Sequence, residues 1–239
     1  MQWFEAVEQI RPSVVQITSP AGSGTGFLIA RAKSLTICGV ATAAHVVNQA
    51  HYWEQPIRIQ QADSMATDLL RHSDRAIILD EQRDTAIIIF EPKQIVFPQS
   101  PIPLIDEGRY LKIGNSIGWL GYPAIGSPHL CFFTGAVSAW VQEQSAYFVD
   151  GVAINGVSGG PAFTLIQNEI RVIGVVSAYM PNRITGETLP GLGIVRDVAQ
   201  FHDMTRRFQS VDDAKAEETP PTTPPPAPHP GVPPMQDAF

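Results

Sequence analysis

Apolar and polar positions alternate along this chain in many short runs rather than in long stripes. Trp3, Phe4, Val7 and Ile10 recur at a spacing of three to four, which predicts a short amphipathic helix over residues 1–10. Pro12 ends it. Runs of strand character follow at 13–18, 27–30, 34–41, 57–60, 76–79 and 86–90. A second set occupies 116–121, 131–139, 146–149, 162–165, 171–178 and 192–195. Between the two sets, Pro92, Pro98, Pro101 and Pro103 mark a connector. Short strands divided by Gly and Pro turns predict an all-β class, barrels or a sandwich, rather than an alternating α/β sheet. Asp197 is placed to cap a final helix reaching about residue 208, with Val198, Phe201 and Phe208 on its apolar side.

Composition changes after Ser210. Residues 211–239 hold 9 of the 21 prolines, preceded by Asp212, Asp213, Glu217 and Glu218. Such a stretch buries too little apolar surface to offset its ordering, so it is expected to be a disordered, partly polyproline II tail. The plain reading is a spacer; the functional one is a docking ligand for a proline-binding partner. The other 210 residues suffice for a sizeable core. A net charge of −7, with Arg206-Arg207 as the only adjacent basic pair, argues against nucleic acid or an anionic membrane as the main partner. Cys38 and Cys131 are too few for a disulfide scaffold and lie in apolar runs, where a free thiol is common. The first residues carry no secretory pattern, and no apolar run approaches the ~18 residues of a membrane span. If Met1 is the natural start, a cytoplasmic location is expected.

The chemistry centres on Asn155-Gly156-Val157-Ser158-Gly159-Gly160-Pro161. Glycine lets a backbone take positive φ, so a serine held between glycines can present its hydroxyl beside converging N–H groups. A plain β-turn would use the same residues. Gly22-Ser23-Gly24-Thr25-Gly26 also suggests a phosphate loop, but it lacks the Lys-Ser/Thr pair and leads into a strand. A nucleophilic serine needs a base. Of the six His, His229 lies in the tail, His202 in the final helix, His51 and His72 in polar loop-like segments, and His129 in a turn. His45 alone follows an apolar strand through two alanines. The base needs an orienting carboxylate, and Asp84 opens the apolar run Thr85-Ala86-Ile87-Ile88-Ile89; Asp74 and Asp80 are its competitors. A metal at His45 and His51 lacks cysteine or acidic company.

Four motifs now stand in order: Gly24-Thr25-Gly26-Phe27, Thr42-Ala43-Ala44-His45, Asp84-Thr85-Ala86-Ile87 and Gly156-Val157-Ser158-Gly159-Gly160-Pro161. Together they resemble chymotrypsin-fold (trypsin-like) serine proteases, most of all bacterial HtrA/Deg-like peptidase domains. Gly118-Trp119-Leu120-Gly121-Tyr122-Pro123, Phe133 to Ala139 and Asp150 to Asn155 are similar to that family's second barrel.

The resemblance implies two six-stranded antiparallel β-barrels in residues 1–210. They would occupy about 11–92 and about 110–200, joined at about 93–109, with the helix at about 197–208 and the tail at 211–239. It implies Ser158 as nucleophile, His45 as general base and acid, Asp84 as orienter, and the N–H groups of Gly156 and Ser158 as oxyanion hole. Substrate would meet Val152, Asn155, Ser177, Ala178 and Tyr179, pairing by strand addition along 174–179. The implied function is a serine endopeptidase acting on polypeptides, with no cofactor and no metal.

Departures from the family pattern qualify that expectation. Val157 stands where digestive members carry an Asp that receives a new N-terminus. Val46 stands where a disulfide would flank the base. Val152 at the expected pocket floor points to small or medium apolar P1 residues, and Tyr179 replaces a common Gly. The tail is too short for the PDZ domain usual in HtrA members. A rival expectation is a latent protease-fold module that binds peptides or partner proteins.

Overall fold

β1 (Val14–Ser19) turns into β2 (Gly22–Arg31) across two residues, in antiparallel register from Val14 opposite Phe27 to Ser19 opposite Gly22. The computed structural model that shows this describes residues 1–34, 36–125, 129–181 and 188–218, without the side chains of 179–181, 188–190, 211 and 214–218. α1 (Trp3–Ile10) precedes β1. After β2 come β3 (Cys38–Thr42), α2 (Ala44–Tyr52), β4 (Ile57–Gln61), β5 (Thr67–Leu70), β6 (Arg75–Asp80) and β7 (Thr85–Phe90). These strands form one antiparallel sheet in the order β5-β4-β1-β2-β3-β7-β6. β8 (Ser116–Gly121), β9 (Cys131–Val141), β10 (Ala146–Asp150), β11 (Pro161–Ile166), β12 (Glu169–Pro181) and β13 (Thr188–Asp197) close a six-stranded barrel, and α3 (Ala199–Glu218) follows.

The all-β, two-part architecture matches the expectation, with one correction. The first part has seven strands, and its edges β5 and β6 do not pair, which leaves a half-barrel. A side chain holds the seam instead. The Arg75 guanidinium donates to the carbonyls of Leu70 (2.7 Å), Gln55 (2.6 Å) and Ala50 (3.1 Å), joining the start of β6 to the end of β5 and to α2. Nearby, the buried Asp68 carboxylate on β5 accepts the N–H groups of Lys93 and Gln94, both at 2.9 Å, and so anchors the chain leaving β7.

Three further differences have local causes. The strand expected at 34–41 begins only at Cys38, because Ala32 N–H donates to Ile37 O (2.9 Å) and closes a turn first; Leu35 lies outside the described residues. Residues 44–52 are helical, so His51 sits in α2 rather than in a loop. The buried Ala44, Val47 and Ala50 recur every three residues there, a period masked by the preceding apolar strand. The final helix starts at Ala199 and runs to Glu218, past 208 and into the segment expected as tail. No Gly or Pro interrupts that span, and Asp197 Oδ1 accepts Ala199 N–H at 3.0 Å. The calls made on 219–239 lie outside the described residues.

The largest core cluster crosses between the two parts. Phe27, Ala41 and Ile87 of the open sheet share it with Trp119, Tyr147, Val157, Val175 and Phe201. α3 clasps the same junction: Gln200 bonds Thr85 (3.1 Å), His202 Nε2 donates to Ile105 O (2.8 Å), and Arg206 pairs with Glu107. The cleft between the parts is therefore set by packed side chains. Both cysteines are free; burial pushes the Cys38 thiol up to about 12.

Candidate active site

β3 delivers the chain into α2 through Thr42 and Ala43, so His45 is the second residue of a helix whose N-cap, Ala43, has no capping side chain. The first N–H groups of a helix need acceptors. One is supplied from β7's doorstep: Asp84 Oδ1 accepts the His45 N–H at 3.0 Å. The same carboxylate receives the imidazole, with Nδ1 2.9 Å from Oδ2 and 3.0 Å from Oδ1. Asp84 therefore caps α2 and orients the ring at once. It can do so because it ends the tight turn after β6, with φ +52° and its N–H donating to Glu81 O at 3.3 Å.

Ser177 of β12 completes the carboxylate's shell, its hydroxyl 2.5 Å from Asp84 Oδ2. Burial pushes the Asp84 carboxyl up, but the hydrogen bond and charge of the His45 ring, the Ser177 hydroxyl and the His45 N–H outweigh it and hold it below the usual 3.8. The competing acids are engaged elsewhere: Asp74 accepts Arg71 N–H (3.0 Å) and Asp80 accepts Arg83 N–H (3.0 Å).

Ser158 sits between Gly156 and Gly159, both at φ +89°. Neither position admits a side chain. A Cβ at Gly156 would lie 2.2 Å from Tyr122 O, and one at Gly159 1.9 Å from Thr25 O. The loop is held by its own main chain. Asn155 O accepts from Ala124 N–H (2.8 Å), Gly160 N–H donates to Val157 O (3.0 Å) and Gly159 N–H to Val176 O (2.7 Å). In a trans peptide the N–H points opposite its carbonyl. The N–H groups of Gly156 and Ser158 thus face away from those anchored carbonyls, and neither has a hydrogen-bond partner among the described residues.

Thr25 was singled out only as part of a glycine motif, yet it joins the two halves of the site. It is fully buried; its N–H donates to Ser158 O (2.8 Å), its hydroxyl donates to Gly156 O (2.8 Å) and accepts Tyr122 N–H (3.0 Å), and its carbonyl accepts the Thr42 hydroxyl (2.7 Å). Its sequence signal, a threonine between two glycines, names no partner. The two departures beside the site also find their reasons. Val46 fills the space over Gly24, where an added Cβ would meet its methyls at 2.6 and 2.7 Å. Val157 is fully buried against Gly121, an apolar seat in place of an ionic one.

His45 and Ser158 face one open cavity of about 370 Å³, walled by Ala153, Ile154, Asn155, Val176 and Ala178, with Ser177. Val152, expected at its floor, does not line it. Its carbonyl takes the Trp119 indole N–H at 3.0 Å, the backbone at Gly151 lies on that ring, and Val152 as a whole is 47% exposed. The side chain of Tyr179 lies outside the described part; its main chain pairs with Gly193. The Ser158 hydroxyl donates to Ser177 O at 3.1 Å and makes no hydrogen bond to His45. Ser177 thus serves the site through both its hydroxyl and its carbonyl. His51, His72, His129 and His202 are not brought to Ser158. Among the described residues no cluster of His, Cys, Asp and Glu could hold a metal ion, and no helix is long and apolar enough to cross a membrane.

A family model described as a trypsin-like peptidase domain matches residues 24–175. No curated protein matches the chain. Among solved structures, the inactive form of a serine-to-alanine mutant of Rv3671c from M. tuberculosis H37Rv is 21% identical, with a TM-score of 0.55, covering 91% of this chain and 92% of that one. Deg5 is 20% identical, with a TM-score of 0.59 and coverages of 87% and 94%. A serine endoprotease from Yersinia pestis is 19% identical, with a TM-score of 0.60 and coverages of 87% and 68%. At these identities the structures share a fold with the chain.

Proposed function

Because the chain belongs to the family of trypsin-like peptidase domains, we propose that it is a serine endopeptidase acting through an acyl-enzyme. The observation that carries this is the shared cavity: a His45–Asp84 pair bonded at 2.9 Å faces the same space as the Ser158 hydroxyl. In the proposed cycle His45 Nε2 takes the Ser158 proton as the hydroxyl oxygen attacks the peptide carbonyl, then returns it to the leaving amine. Asp84 holds Nδ1–H and stabilises the imidazolium. The N–H groups of Gly156 and Ser158 receive the oxyanion. Water repeats the sequence to release the acid. Ala153, Ile154, Val176 and Ala178 wall an apolar pocket, which favours a small or medium apolar P1 side chain.

A second reading is a latent module that holds peptides without cutting them. The observation that favours it is the Ser158 hydroxyl resting on Ser177 rather than on His45. Labelling with a fluorophosphonate probe separates the two. The endopeptidase labels as wild type and not as Ser158→Ala; a folded wild type that stays unlabelled is the latent module. A peptide library then tests P1, and removal of residues 219–239 tests whether the Pro-rich tail recruits a partner.

A further inference from the structure

Successive carbonyls of the nucleophile loop are each held by a donor. Asn155 O takes Ala124 N–H (2.8 Å), Val157 O takes Gly160 N–H (3.0 Å) and Ser158 O takes Thr25 N–H (2.8 Å), all main chain to main chain. Gly156 O is instead held by a side chain, the Thr25 hydroxyl at 2.8 Å, and no other donor reaches it among the described residues. A hydroxyl has one proton to give and lone pairs to receive. The Thr25 proton goes to Gly156 O, and its oxygen accepts Tyr122 N–H at 3.0 Å. Thr25, Tyr122 and Gly156 are all buried, so no water takes over either bond if the hydroxyl keeps its place.

That carbonyl belongs to the Gly156–Val157 peptide, which lies between the two peptides whose N–H groups, of Gly156 and Ser158, form the proposed oxyanion hole. The other end of the same peptide, Val157 N–H, donates to Ile154 O at 3.1 Å. A peptide unit is planar, so turning it changes the dihedrals on both sides and lets the two flanking N–H groups diverge. Gly156, at φ +89°, has no side chain to oppose such a turn. We propose that the Thr25 hydroxyl is a positioning group for the oxyanion hole. Thr25 is 0% exposed and touches no substrate. It fixes the central peptide from behind, so that the N–H groups on either side converge on one point. The bond crosses from β2 of the open sheet to a loop 131 residues away, so the first half of the fold sets the oxyanion geometry of the second. The inference rests on the endopeptidase reading and deepens it.

Thr25→Val replaces the hydroxyl by a methyl and keeps the β-branched shape that suits a strand. Thr25→Ser keeps the hydroxyl. Both full-length variants are compared with wild type on a peptide amide bearing an apolar P1 residue, and against a peptidyl trifluoromethyl ketone. That inhibitor bonds its carbonyl carbon to Ser158 Oγ; the Ser158 proton passes to His45 and the ketone oxygen becomes the oxyanion. Thr25→Val should lower kcat by about 10- to 100-fold and leave KM within about twofold, because misplaced donors cost the transition state more than the bound substrate. The inhibition constant of the ketone should rise by about the same factor as kcat falls. Thr25→Ser should stay within about threefold of wild type in each quantity. Near-UV circular dichroism shows which variants are folded. A folded Thr25→Val with wild-type kcat overturns the positioning role. So does a loss confined to stability or KM, or one that Thr25→Ser shares in full. If Thr25→Val does not fold, Thr25→Ala is read in the same way. A wild type that neither cleaves peptide nor reacts with the fluorophosphonate or the ketone overturns the endopeptidase reading itself, and this role with it.

Discussion

Asp84 grips His45 at two points, accepting the backbone N–H at 3.0 Å and the ring Nδ1 at 2.9 Å. The helix N-terminus and the imidazole are thereby fixed by one carboxylate. Asp84→Asn keeps the shape but puts an amide where the imidazolium needs an anion. Turnover should fall by about 10⁴ with the fold retained, measured as kcat on a peptide substrate alongside near-UV circular dichroism. The pH dependence has a definite sign. The Asp84 pKa lies below its usual 3.8 in the folded chain, so its contribution to stability is present above 3.8 and is lost as pH falls through the folded value. Wild type should be more stable than Asp84→Asn at neutral pH, and the gap in urea midpoints should close below about pH 3.8. A gap independent of pH would contradict this.

Gly159→Ala should destabilise far more than Gly108→Ala. Both glycines have positive φ (+89° and +75°), but a Cβ at Gly159 meets Thr25 O at 1.9 Å, while one at Gly108 has nothing within 4 Å. Gly108→Ala should cost about 1 kcal/mol of backbone strain and leave labelling of Ser158 intact. Gly159→Ala should cost several times that and abolish labelling. Urea unfolding of both variants is the check.

Ala153→Asp should recast P1 preference. Ala153 walls the cavity beside Ile154 and Asn155, within reach of a bound side chain. A carboxylate there should cut kcat/KM for apolar P1 residues by about tenfold or more and raise it for Lys or Arg. Competition between P1-Val and P1-Lys peptides measures the ratio; an unchanged ratio would remove this wall from P1 recognition.

Arg75→Met tests the seam of the half-barrel. Its guanidinium serves three carbonyls at 2.6–3.1 Å. Leaving them without a donor should cost about 2–4 kcal/mol, seen as a lower urea midpoint. Backbone hydrogen exchange should rise first in β5 and β6.

What the sequence determined by itself was local. Short apolar runs bounded by Gly/Pro turns placed most strands, because run composition and turn chemistry need only neighbouring residues. The order of the motifs around His45, Asp84 and Ser158 pointed to the family; His45 and Ser158 line one cavity, and Asp84 is bonded to the His45 ring behind it. Tertiary structure decided what depends on distant partners or on the aim of a side chain. The Thr25–Gly156 bond spans 131 residues and the Ser177–Asp84 bond 93, beyond any local pattern. Val152 is turned out of the pocket by the Trp119 ring, and the seam is closed by Arg75, because an indole N–H and a row of carbonyls needed partners where the fold brought them. The position of the Ser158 proton followed from a bulge at Ser177, which exists only once β12 has paired with β13.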